Sequence, residues 1–142
     1  MTTGYITHPD FLKHEMGSHH PECPERIQAI NDQLIRSGVD QFLHHLDAPL
    51  ASEDQLELVH SPDHIAFVKE RAPASGYYML DGDTIMNPHT WNAALRAAGA
   101  AIDAAQNGQA GVCGRVLGHG LAQHGGLCGL ACGWAERAAR IE

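Results

Sequence analysis

Nine of the fifteen glycines of this 142-residue chain fall between Asn107 and Glu142. The same stretch holds no Lys, Asp, Phe or Tyr, and its only Trp is Trp134. Glycine loses more chain entropy on ordering than any other residue, so such a segment resists packing into a regular element before Trp134–Ile141. A mixture of Gly, Ala, Leu, Cys, His and Arg with no helix or strand period is also what out-of-frame reading of a GC-rich gene yields. Two kinds of text are therefore expected. Residues 1–106 are read as the part that builds a domain, and 107–142 as a Gly-rich tail of unrelated character, a frameshift or truncation product.

Charge narrows the classes further. Seventeen Asp and Glu against nine Lys and Arg leave a formal charge of −8, and Lys13 and Lys69 are the only lysines. No basic patch assembles from that inventory, which argues against nucleic acid and membrane partners. No apolar run approaches the roughly 20 residues of a membrane span. Met1–Tyr5 lacks the basic and apolar parts of a secretion signal, so a cytoplasmic location with reduced cysteines is expected.

Within the first part, local signals agree with one another. Thr3–Ile6 suits a short strand, followed by a long loop to Glu22 that carries His8, His14, His19 and His20. Pro24 opens a helix with Ile27, Ile30 and Leu34 on one face, Arg36 in its last turn and Gly38 as its stop. Leu43–Asp47 reads as a second strand. Ser52 with Gln55 makes a capping box for a short helix to Val59. Ser61-Pro62 begins another, with Ile65 and Val68 inward and Pro73 ending it, and Asp81-Gly82-Asp83 is a turn. Asn87-Pro88 then opens the clearest helix, in which Trp91, Leu95, Ala98, Ile102 and Ala105 form one apolar stripe. Gly99 inside it costs about 1 kcal/mol against Ala unless it permits a close packing contact. Helices alternating with short apolar pieces indicate an α/β class.

Chemistry is less legible. Adjacent histidines on extended chain point to opposite sides, so His19-His20 and His44-His45 are read as loop or surface residues rather than metal pairs. Cys113, His119, His124, Cys128 and Cys132 are residue types that zinc prefers, yet their spacing lacks the paired C-x-x-C knuckles of structural sites. Cys23 is a nucleophile only with a base held beside it, and an idle thiol is the simpler reading. Asp81 and Asp83 can face the same way as a ligand pair or sit in a solvated turn. No G-x-S-x-G, P-loop or G-x-G-x-x-G occurs.

The order of several segments carries more information than any one of them. His20-Pro21-Glu22-Cys23-Pro24-Glu25-Arg26-Ile27 comes first, then Val59-His60-Ser61-Pro62-Asp63-His64-Ile65. Leu80-Asp81-Gly82-Asp83-Thr84 and the helix through Ala97-Ala98-Gly99-Ala100 follow. Across residues 3–105 this series resembles the N-terminal portion of the histone deacetylase family, in particular the class II-like deacetylases and their acetylpolyamine amidohydrolase relatives. The resemblance covers well under half of that family's catalytic domain. It implies an arginase/deacetylase-type open parallel sheet flanked by helices, here incomplete. The implied reaction is hydrolysis of an acetyl amide on a lysine or polyamine nitrogen by zinc-bound water, whose pKa the metal lowers toward about 7. Residue by residue, Arg26 matches the arginine beside the acetate channel, Asp83 the rim aspartate that binds substrate backbone, and His20 lies in the first pocket loop. Arg26 pairing only with Glu22 or Asp83 stays open beside that role.

Departures from the family pattern matter as much. Where the family carries Arg-Pro-Pro-Gly-His-His, with its tandem histidine acid/base pair, this chain reads Arg115-Val116-Leu117-Gly118-His119-Gly120. His119 is thus a remnant or a coincidence, and no intact catalytic residue is assigned. The family's zinc ligands and transition-state tyrosine lie further downstream, so no metal ligand is assigned either, and this chain by itself is expected to lack zinc and activity. The alternative is a small non-catalytic interaction protein with a metal-binding Cys/His tail. Apolar helix faces left without their sheet would favour self-association and marginal stability.

Overall fold

The computed structural model describes residues 3–109, with side chains through residue 106. β1 (Thr3–Thr7) and β2 (Leu43–Asp47) pair in parallel, with Thr3 opposite Leu43 and Thr7 opposite Asp47. Parallel strands cannot be joined by a tight turn, and α1 (Pro24–Arg36) lies on the crossover between them. α1 starts on a proline at its first position, with Cys23 extended at the cap. It stops where Gly38 takes φ +73°, a conformation that L side chains rarely adopt. Ile27, Ile30 and Leu34 are its half-buried face. The loop expected between Thr7 and Glu22 contains a 3-10 turn at Pro9–Lys13, capped by His8.

Beyond β2, α2 (Glu53–Glu57) and α3 (Pro62–Glu70) both begin at serine caps. Ser52 and Gln55 form the reciprocal capping box expected of them, at 3.2 and 2.9 Å. α2 ends at Glu57 rather than Val59, and the last turn of α3 closes at Arg71, before Pro73. A short antiparallel hairpin follows, β3 (Tyr78–Met79) with β4 (Ile85–Met86), and its tip is the Asp81-Gly82-Asp83 turn. α4 (Thr90–Gln109) completes the described chain.

Packing corrects two expectations about α4. Its buried face is centred on Ala94, Ala98 and Ile102, while Trp91 and Leu95 flank it half-buried. That face is also not left bare. Ala51, Leu56 of α2, Ile65 and Val68 of α3 and Met86 of β4 close over it as one cluster. The large apolar residues left in solvent lie elsewhere, and they include Ile35, Phe42, Leu58 and Met79.

Gly99 explains how α4 comes so near. A Cβ there would stand 2.8 Å from the Pro49 carbonyl carbon, 2.9 Å from the Ala51 nitrogen and closer still to the Pro49 oxygen. In that bare space the Ala51 N–H reaches the Leu95 carbonyl at 3.0 Å. Arg96 completes the attachment, donating to the Ala48 carbonyl at 2.6 Å and to the Asp10 carboxylate at 3.3 Å. Both contacts lie just past the C-terminal ends of β1 and β2, so the loop after β1 is anchored to α4.

Candidate functional site

The segments that carry the expected site residues meet beside that anchored loop. His14 is 7% exposed, and its Nδ1 lies 2.8 Å from the Thr90 hydroxyl at the start of α4. The Thr90 hydroxyl donates to Asn87 Oδ1 at 3.1 Å and accepts the Asn87 N–H at 2.8 Å. With that hydroxyl proton committed, His14 carries its own proton on Nδ1, and Nε2 is a buried acceptor with no hydrogen-bond partner among the described residues. Burial is the main reason that the His14 imidazole is pushed below its ordinary 6.5; the Glu22 carboxylate opposes the shift. Asn87 binds the loop a second time, its Nδ2 donating to the Lys13 carbonyl at 2.8 Å.

The loop then delivers His20 and Glu22. The Glu22 N–H donates to His20 Nδ1 at 3.0 Å, which leaves the ring proton of neutral His20 on Nε2. That nitrogen faces Asp83 Oδ1 at 3.4 Å. Asp83 is held at the hairpin tip because Asp81 Oδ1 accepts the N–H groups of Asp83 and Thr84 at 2.9 and 2.8 Å. The His20 side chain is mostly covered, whereas that of Asp83 is 62% exposed. Arg26 forms its ion pair with Glu22, one turn back along the chain, and not with Asp83. On the outer side of the loop, Glu15 accepts the Tyr77 hydroxyl at 2.7 Å, and this bond pushes the phenol above its usual range.

Of the expected site residues, His20 and Asp83 are thus in contact across 63 residues of sequence, and Arg26 is linked to them through Glu22. His119 and the Cys/His candidates at 113, 124, 128 and 132 lie outside the described residues. Cys23 sits half-buried at the α1 cap. His19 is exposed and His20 half-buried, but the segment is a turn, closed by the His20 N–H on the Gly17 carbonyl at 3.1 Å, and not the extended chain expected; His44 and His45 both lie in solvent on β2. Sequence reasoning missed the His14–Thr90–Asn87 network. The Asn87-Pro88 helix start was its one local signal, and nothing local pointed from it to His14.

Among the described residues no group of three or more His, Cys, Asp or Glu side chains is placed to hold a metal ion. The zinc that the resemblance implies therefore finds no ligand set in residues 3–106. What this arrangement can do is present a carboxylate and an imidazole at a loop rim, buttressed from behind by an ion pair. No helix among the described residues is long and apolar enough to cross a membrane.

Comparison with known proteins gives this geometry a context. The profile of the histone deacetylase domain matches residues 20–123. A probable deacetylase of Archaeoglobus fulgidus is 37% identical over 111 residues, which is 75% of this chain and 30% of that protein. Human polyamine deacetylase HDAC10 is 35% identical over 111 residues, 72% of this chain and 17% of that protein. The crystal structure of the HDA15 HD domain superposes with a TM-score of 0.76 at 25% identity, covering 96% of this chain and 44% of that one. This chain thus spans less than a third of the length of either of those two relatives.

Proposed function

This chain belongs to the histone deacetylase family, and from that premise we propose that it is the N-terminal portion of a deacetylase acting on acetyl-lysine or acetylpolyamine amides. In this reading residues 3–106 supply the substrate-facing rim, and the zinc centre is built from chain beyond them. Asp83 accepts hydrogen bonds from the substrate at the mouth, His20 holds Asp83 in place, and Arg26 with Glu22 fixes the base of the loop. The 142-residue chain on its own hydrolyses no acetyl amide.

The observation that carries the reading is the 3.4 Å contact between His20 and Asp83. It joins the loop after β1 to the hairpin tip on one rim, and both belong to the segments that carry the family resemblance. A carboxylate 62% exposed at such a tip faces solvent, where a ligand can reach it, while its neighbour limits its motion. The direct test is to purify the 142-residue chain, load it with zinc, and assay acetyl-lysine peptide and acetylputrescine hydrolysis beside metal analysis. No turnover and no stoichiometric zinc are expected. One zinc per chain with measurable deacetylation would overturn the reading that these 142 residues by themselves lack the metal centre.

A further inference from the structure

We propose that His14 is a proton-operated latch on the rim: neutral, it holds segment 14–21 against the start of α4, and proton uptake shifts that segment toward release, parting His20 from Asp83. The role of the rim rests on the functional reading above; the latch is read from contacts within this chain. His14 is 7% exposed, and its Nδ1 bonds the Thr90 hydroxyl at 2.8 Å across 76 residues of sequence. Thr90 is fully buried and bonded in turn to Asn87, so the imidazole rests on a fixed base. Attachments on either side mark where release stops. Before His14, Lys13 gives its carbonyl to Asn87 Nδ2 at 2.8 Å and its ammonium to the Asp10 carboxylate, which also holds Arg96. After Pro21, Glu22 is tied to Arg26 on α1. Between them the chain holds neither helix nor strand, and none of its residues belongs to the cluster around Leu56, Val68 and Ala98. The segment can therefore lift while that core stays packed.

The charged groups that act on His14 lie on its own loop. Glu22 and Glu15 favour the imidazolium, His20 opposes it, and burial, the largest influence, opposes it too. Glu22 is already engaged by Arg26, and Glu15 by the Tyr77 hydroxyl. From α4 the imidazole meets Thr90, and neither Thr90 nor Asn87 behind it titrates. The incoming proton goes to Nε2, a buried atom that bonds none of the described residues. Once the segment lifts, the ring returns to solvent and to its ordinary 6.5, so acid favours release. What release gives up is the Glu15–Tyr77 bond and the buried Met16, whose sulfur accepts the Ile85 N–H at 3.4 Å. Protonation of His20 acts in another way. It strengthens the pair with Asp83 and takes Nδ1 from the Glu22 N–H, so Ile85 rather than Glu22 is the amide that reports release.

The test is amide exchange of the 142-residue chain by nuclear magnetic resonance between about pH 7.5 and pH 5.5, expressed as protection over the intrinsic rate. One proton taken up at 6.5 raises the released fraction by at most about tenfold over that range. Protection of Ile85 should fall by about threefold to tenfold. It should also lie at least about tenfold below that of Ile102 in the core and stay insensitive to about 1 M urea, as a local opening requires. His14→Asn keeps a donor for Thr90 and takes up no proton, so its Ile85 protection should change by less than about twofold. Asp83→Asn, at the exposed hairpin tip, removes the charge partner of His20 and should leave the wild-type response in place. Constant protection of Ile85 in the wild-type chain overturns the proposal. So does exchange of Ile85 in step with Ile102 in both pH and urea, which means opening of the whole domain. A response that persists in His14→Asn, or vanishes in Asp83→Asn, assigns the proton to another group and overturns it as well. None of these readouts involves zinc or substrate, so the latch and the functional reading fail separately.

Discussion

Replacing Gly99 by alanine pits helix propensity against packing at one atom. In an isolated helix the change stabilises by about 1 kcal/mol. Here the added Cβ meets backbone on three sides, the Pro49 oxygen and carbon and the Ala51 nitrogen, and none of these can swing aside as a side chain would. Overpacking against rigid neighbours costs about 2 kcal/mol. If α4 instead withdraws, the buried Ala51 N–H loses the Leu95 carbonyl, and an orphaned donor costs about 2 kcal/mol. The two routes are alternatives, so a cost of about 2 kcal/mol less the propensity gain of about 1 kcal/mol leaves a net loss of about 1 kcal/mol, or on the order of 5 °C in Tm for a domain of this size. Urea unfolding followed by far-UV circular dichroism and tryptophan fluorescence reads it directly. Asn92, exposed on the same helix, provides the scale, since Asn92→Ala and Asn92→Gly should differ by about 1 kcal/mol in the usual order. A Gly99→Ala midpoint at or above wild type, with that scale intact, refutes the close-approach argument.

Other perturbations follow from the same contacts. Because burial pushes His14 below 6.5, the unfolded chain binds a proton that the folded chain refuses; the stability from neutral His14 is complete above 6.5 and is lost as pH falls toward the folded value. The wild-type urea midpoint should therefore drop more between about pH 7.5 and pH 5.5 than that of His14→Asn; parallel pH profiles would count against a depressed His14. Asn87→Ala removes an acceptor for the His89 N–H and the donor to the Lys13 carbonyl, for a loss of about 2 kcal/mol in chemical denaturation, with Asn87→Asp recovering about half. Asp81→Ala should raise amide exchange at Asp83 and Thr84 roughly tenfold, and Asp81→Asn should largely restore it; equal exchange in all three proteins would mean that the turn does not depend on this side chain.

The elements of this fold were readable wherever the signal lies within about one helical turn. Pro24 and Gly38 bracket α1, the Ser52–Gln55 box starts α2, Ser61-Pro62 starts α3, and Asp81-Gly82-Asp83 makes the hairpin tip, all through bonds between near neighbours. The order of those segments sufficed for the family, since motif order survives in a linear string. The parallel α/β character was legible for the same reason.

Tertiary structure alone decided the rest. That Arg26 takes Glu22 and leaves Asp83 to His20 depends on how the loop after β1 is carried over the hairpin. His14 finds Thr90 across 76 residues, and Arg96 finds Asp10 across 86, only because α4 is drawn against the ends of the strands. Gly99 marked a cost in the sequence, and its compensation became visible only with Pro49 and Ala51 in place. The division has one physical cause. Caps and turns draw on energies local to a few residues, whereas burial and long-range hydrogen bonds depend on which surfaces the packed core brings face to face, and no single segment encodes that.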